Sequence, residues 1–131
     1  MPTFRDVFEA YGADYDTTMA RFMGNEAMYL QLLDMLFQDE NMQKLGAALA
    51  NRDYTAAFEA AHTLKGVVGN MGLTPLYEAV CVIVEPLRSR ECRDDYAALY
   101  QRVESEFQRA EALRKKLREG EELWRRAIPS L

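Results

Sequence analysis

The chain has 131 residues, 49% apolar and 28% charged, with 16 basic against 21 acidic side chains and a net charge of -5. This is ordinary globular composition for one domain with a core of its own, so wholesale disorder is excluded, and without a basic surplus so is general nucleic-acid binding. The longest wholly apolar run, Ala79 to Val84, is far below the roughly 20 residues of a membrane span, and the stretch containing Arg5, Asp6 and Glu9 lacks the features of a secretory signal.

Residues 3 to 23 read as one or two short helices broken near Gly12 to Asp16. Phe4, Val7, Phe8 and Tyr11 share a face, and Met19, Phe22 and Met23 continue the apolar material. These side chains serve either as core or as an apolar apron on which a partner docks; apolar periodicity more often means core. Asn25 is placed to cap a helix, with Glu26 agreeing with its dipole. Met28, Tyr29, Leu32, Leu33, Met35 and Leu36 are its expected inward positions. The polar run Gln38-Asp39-Glu40-Asn41 then interrupts the pattern before Leu45, Ala48 and Leu49 resume it, which predicts a bend or two helices in sequence.

Asn51-Arg52-Asp53 marks a turn, and Asp53 can cap the next helix. That helix should run about 18 residues, roughly 27 Å, and close near Gly72. Its apolar face is Tyr54, Ala57, Phe58, Ala61, Leu64, Val68 and Met71. His62, the only histidine, lies with Lys65, Gly66 and Gly69 at i, i+3, i+4 and i+7, on a separate stripe whose offset from the apolar face is roughly 120° by the 100° helical step. The imidazole should therefore be held at its root and open at its tip. Two glycines inside a helix cost roughly 1 kcal/mol each relative to alanine. The gain expected from Gly66 and Gly69 is access, because they remove side chains that would flank the ring. Lys65 would bring an ammonium to phosphoryl oxygens, and a histidine substantially neutral near pH 7 is a nucleophile.

Thr74-Pro75 opens another helix, cap then proline, antiparallel to its neighbour across a short loop. Ala79 to Val84 has β propensity, but Leu73, Leu76, Val80, Ile83 and Leu87 keep helical spacing around it. Pro86 should kink that helix or end its regular part. Cys81 and Cys92, with no CxxC spacing, suggest neither a zinc site nor a disulfide framework and fit a reducing, cytoplasmic setting. Cys81 reads as a small buried hydrophobe. Asp94 or Asp95 caps the last helix, with Tyr96, Leu99, Val103, Phe107, Ala110, Leu113 and Leu117 inward. The pattern weakens beyond Gly120; Trp124 has no assigned place, and Pro129 leaves a short tail.

The segment His62-Thr63-Leu64-Lys65-Gly66, followed by Gly69 and Gly72, resembles the signature of histidine-containing phosphotransfer (HPt) domains, over roughly residues 14 to 118. With the helical pattern, the expected fold is all-α: an antiparallel up-down four-helix bundle over about 25–118, with short N-terminal helices in 1–24 and a tail in 119–131, forming a single domain 1–131. The resemblance implies a phosphocarrier without kinase activity, taking a phosphoryl group on His62 from receiver-domain aspartates and returning it, with Lys65 neutralising charge and Gly66 and Gly69 giving a partner access. Its partners would be response-regulator receivers or a hybrid sensor histidine kinase. No cofactor is expected on this chain, and Mg2+ belongs to the receiver. Such domains often carry a Gln or Glu that hydrogen-bonds the imidazole, near the position held here by Val84; Glu85 or Arg88 could substitute, orienting the ring or contacting phosphate. That departure leaves a rival open, a non-catalytic helical adaptor binding a receiver or kinase. A second rival, an enzyme with His62 as general base, lacks a visible partner acid or nucleophile.

Overall fold

Among the described residues, Asx residues start three of the seven helices, and the reason is local: each carboxyl or carboxamide oxygen takes up a backbone N–H three residues on. The computed structural model describes residues 2–127, and within them the helices are α1 (Phe4–Tyr11), α2 (Tyr15–Ala20), α3 (Glu26–Leu36), α4 (Asn41–Ala50), α5 (Tyr54–Asn70), α6 (Thr74–Arg88) and α7 (Tyr96–Ala127). Asp14, Asn25 and Asp53 accept from the N–H groups of Thr17, Met28 and Ala56, caps each typically worth about 1 kcal/mol. Asp95 stands just before α7, but its carboxylate pairs with Arg93 at 2.6 Å. Thr74 does not cap α6 either: it is the first helical residue, and its hydroxyl turns back to the Gly72 carbonyl.

The interrupted pattern at residues 38–41 resolves into two helices, α3 and α4. Packing runs along the chain: α4 lies on α5, α5 on α6 and α6 on α7, while α7 also touches α4, α3 and α1. One core results, with Leu33, Leu45, Leu64, Leu76, Ile83, Leu87 and Val103 fully buried; each such aliphatic side chain contributes about 1.5–3 kcal/mol by leaving water. On α3 the buried stripe is Tyr29, Leu30, Leu33 and Leu36. Leu32 and Met35, expected inside, are exposed, because α3 is turned so that Asp34 meets Arg114 and Arg118 of α7. Partial burial alone would raise the Asp34 pKa, but hydrogen bonds from those two guanidinium groups outweigh it and hold the carboxyl below its usual range.

Of the two outcomes expected at Pro86, a kink or an end to the regular helix, the second is not seen: α6 continues to Arg88, and in the last turn Pro86 forfeits only one helical bond, from its missing N–H to the Val82 carbonyl. Nor does α7 give way to a tail at residue 119. It runs through Gly120 to Ala127, braced by Glu121, which pairs with Arg118 three residues before it and Arg125 four after. The Trp124 side chain and residues 128–131, Pro129 included, lie outside the described residues.

The N-terminal helices are core rather than apron. Phe8, Met19 and Phe22 are buried and Phe4, Val7 and Tyr11 partly so; only Met23 is bare, at 87% exposure. Phe8 and Phe22 meet Tyr29 edge-on at ring distances of 5.5 and 5.2 Å. Together they close over the α5–α6 turn. The Tyr29 hydroxyl donates to the Met71 carbonyl at 2.7 Å, and Arg21 donates to the carbonyls of Gly69 and Asn70 at 3.1 and 3.0 Å.

Candidate functional site

Helix α5 buries Ala57, Ala60, Ala61, Leu64 and Val68, a narrow face of mostly small side chains that draws the helix close to its neighbours. His62 follows directly on a fully buried alanine yet is itself exposed, as is Gly66, while Lys65 is half-buried. On a helix, residues three and four apart are neighbours, so His62, Lys65 and Gly66 form one continuous patch in the middle of α5. Among the described residues Lys65 makes no ion pair, which leaves its ammonium available to an anion beside the ring.

The two glycines of the stripe differ. A methyl group built on Gly66 meets nothing within 4 Å, so this position fronts open space. One built on Gly69 would stand 2.9 Å from Cε1 of Tyr77. The space beside Gly69 is therefore taken by a ring of α6, and the glycine is needed for helix packing rather than for the access expected of it. Helix α5 then closes in a Schellman turn: Gly72 and Leu73 donate to the carbonyls of Gly69 and Val68 at 3.1 Å each, with Gly72 at φ +70°.

No side chain hydrogen-bonds the His62 ring among the described residues. Val84, on the facing stretch of α6, is wholly buried. Glu85 faces Arg88 at 3.6 Å instead of the imidazole, so neither it nor Arg88 orients the ring by a hydrogen bond. The contact the ring does have is with Phe58, one turn earlier: the two planes lie 19° apart with centroids separated by 5.4 Å. Two guanidinium groups, one from the last residue of α6 and one from just beyond it, sit against the same phenyl ring, Arg88 at 5.5 Å and Arg90 at 4.6 Å from its centroid. Arg90 is anchored, its Nη1 donating to the carbonyls of Leu87 and Arg88 and its Nε to Thr55 Oγ1.

Sequence reasoning assigned Phe58 to the core and did not single out Arg90. The i, i+4 spacing of Phe58 and His62 is a signal that could have found the first. Nothing in the sequence points to the second, since Arg90 lies beyond the helix and reaches the site by folding back over it.

The arrangement offers an exposed nitrogen nucleophile, a nearby ammonium and open ground for a large partner. The described concave regions lie elsewhere, one of about 480 Å³ between α4 and α5 and one of about 1310 Å³ along α1 and α7, and neither is lined by His62 or Lys65. No group of three or more His, Cys, Asp or Glu side chains among the described residues could hold a metal ion, and no described helix is long and apolar enough to cross a membrane. A family model described as the Hpt domain matches residues 31–122. No curated protein and no solved structure matches the chain.

Proposed function

The chain belongs to the Hpt domain family, whose members act in phosphotransfer within two-component signalling, and on that premise we propose that it is a phosphorelay intermediate carrying the phosphoryl group on His62. The observation that carries this reading is the exposed imidazole in the middle of α5, beside Lys65 and the open space in front of Gly66. The same reading takes the helices as an antiparallel up-down bundle of four with short N-terminal helices, and the setting as cytoplasmic.

The reaction is a reversible in-line displacement. The lone pair of the ring nitrogen farther from the backbone attacks the phosphorus of a receiver's aspartyl phosphate. A P–N bond forms, the acyl P–O bond breaks, and its electron pair leaves on the aspartate carboxylate. The ring, briefly cationic, regains neutrality when the other nitrogen releases its proton to water. Lys65 offsets part of the charge of about -2 that the phosphoryl group brings, and the receiver supplies Mg2+. The chain has no kinase activity of its own in this reading; its partners are receiver domains or a hybrid sensor kinase.

Incubation with a phosphorylated receiver is expected to label the protein with acid-labile, alkali-stable phosphate that peptide mapping assigns to His62. Label on another residue, or none, overturns the assignment. A non-catalytic adaptor is the second reading, favoured by Val84 and the lack of any hydrogen bond to the ring among the described residues; it predicts receiver binding without label.

Gly66→Ala tests the access argument. With nothing within 4 Å of the new methyl group, the variant should gain about 1 kcal/mol from helix propensity, read by urea denaturation. Phosphoryl transfer should slow several-fold, since the methyl stands one turn from the imidazole on the side a partner approaches. Transfer at the wild-type rate would show that this ground need not be bare.

A further inference from the structure

We propose that Phe58 is a positioning residue for His62: its ring, held in place by Arg90, fixes the plane of the imidazole from which the phosphoryl group is accepted. This rests on the phosphocarrier reading above. An exposed histidine in mid-helix has a broad two-fold χ2 torsion, whereas in-line attack needs the nitrogen aimed at phosphorus within about 3–3.5 Å. Something has to narrow that torsion. A hydrogen bond does not, because no described side chain bonds to the ring, and Glu85 is turned to Arg88. The one contact of the right kind is the near-parallel stack on Phe58.

A stack orients its partner only if it is itself held, and here the support can be traced. Phe58 is half-buried at the edge of the core, which fixes its root. Its ring is covered by Arg90 at 4.6 Å, close enough for a cation–π contact. Arg90 is in turn pinned to two carbonyls at the end of α6 and to Thr55 of α5, with a backbone φ of +55° that folds it back toward α5. The plane of the imidazole is thereby referred to the end of a neighbouring helix without a hydrogen bond to its nitrogens from any described residue, which leaves them open for chemistry.

The test is Phe58→Leu, which keeps an apolar side chain on the helix and removes the flat surface, alongside Phe58→Tyr, which restores it. In NMR of the unphosphorylated protein, the His62 ring-carbon protons should lose their ring-current shift in the leucine variant and keep it in the tyrosine variant. With a phosphorylated receiver, the leucine variant should transfer about tenfold more slowly at saturating receiver, with little change in the half-saturating concentration, and tyrosine should recover most of the rate. Should leucine disturb the fold by circular dichroism, Arg90→Gln releases the same ring from the other side and is expected to reduce the shift and the rate together. Unchanged ring-proton shifts, or transfer by the leucine variant at the wild-type rate, would overturn the inference. Failure of the wild-type protein to take up phosphate would instead overturn the phosphocarrier reading, and the NMR arm, which needs no phosphate, tells the two failures apart.

Discussion

Glutamine at position 62 is expected to abolish phosphoryl uptake while leaving the fold in place. The chain holds a single histidine, so no second imidazole can substitute. The carboxamide nitrogen of glutamine has its lone pair delocalised into the carbonyl and does not attack phosphorus. Stability should change little, because the imidazole is exposed, makes no hydrogen bond among the described residues and stacks on a half-buried Phe58; surface changes of this kind usually fall within about 0.5 kcal/mol. The measurement is acid-labile label after incubation with a phosphorylated receiver, with thermal unfolding of the two proteins side by side. A glutamine variant that labels as the wild type does would end the assignment of His62, whatever the family.

Alanine at position 72 should produce the largest loss of stability of any single methyl group added to the chain. Gly72 sits at φ +70°, a conformation that L side chains adopt at a cost near or above 1 kcal/mol. The added carbon would also stand 2.0 Å from Thr18 Oγ1 and 2.8 Å from its Cγ2. Thr18 is buried at 2% exposure, so it cannot swing away into solvent, and overpacking of this kind costs about 1–3 kcal/mol. Together these give about 2–4 kcal/mol, read as a lower urea midpoint at an unchanged slope. Adding Thr18→Ala, which removes Oγ1 and Cγ2 but leaves Cβ at 2.9 Å from the new carbon, should restore much of the overpacking share and leave the φ share. Destabilisations that simply add would show that Thr18 is not what the new methyl group strikes.

The features legible in the sequence were those decided within a turn of helix. Asn25 and Asp53 cap because their side-chain oxygens reach a backbone N–H three residues on, and Gly72 closes α5 because a left-handed residue was needed there. The short signature around His62 was legible for the same reason, since its spacing places the imidazole on a stripe apart from the core face. What stayed hidden was decided by a second element. Leu32 and Met35 look apolar enough to be buried, and only the pairing of Asp34 with α7 turns them outward. Gly69 reads as cleared ground until Tyr77 of α6 is seen lying on it. Phe58 fits a core pattern equally well whether or not a guanidinium covers it. Asp95 could cap, but Arg93 competes for its carboxylate.

Phe58, which stacks on the imidazole, and the groups that support it, Arg90 and Thr55, come from α5, α6 and their immediate ends, which only residues 71–73 join. Closing so short a loop forfeits little chain entropy, although the contacts it brings together, such as Arg90 with Thr55, join residues 35 positions apart. The patch around His62 is thus built by two consecutive helices, and none of the groups named in it comes from α7.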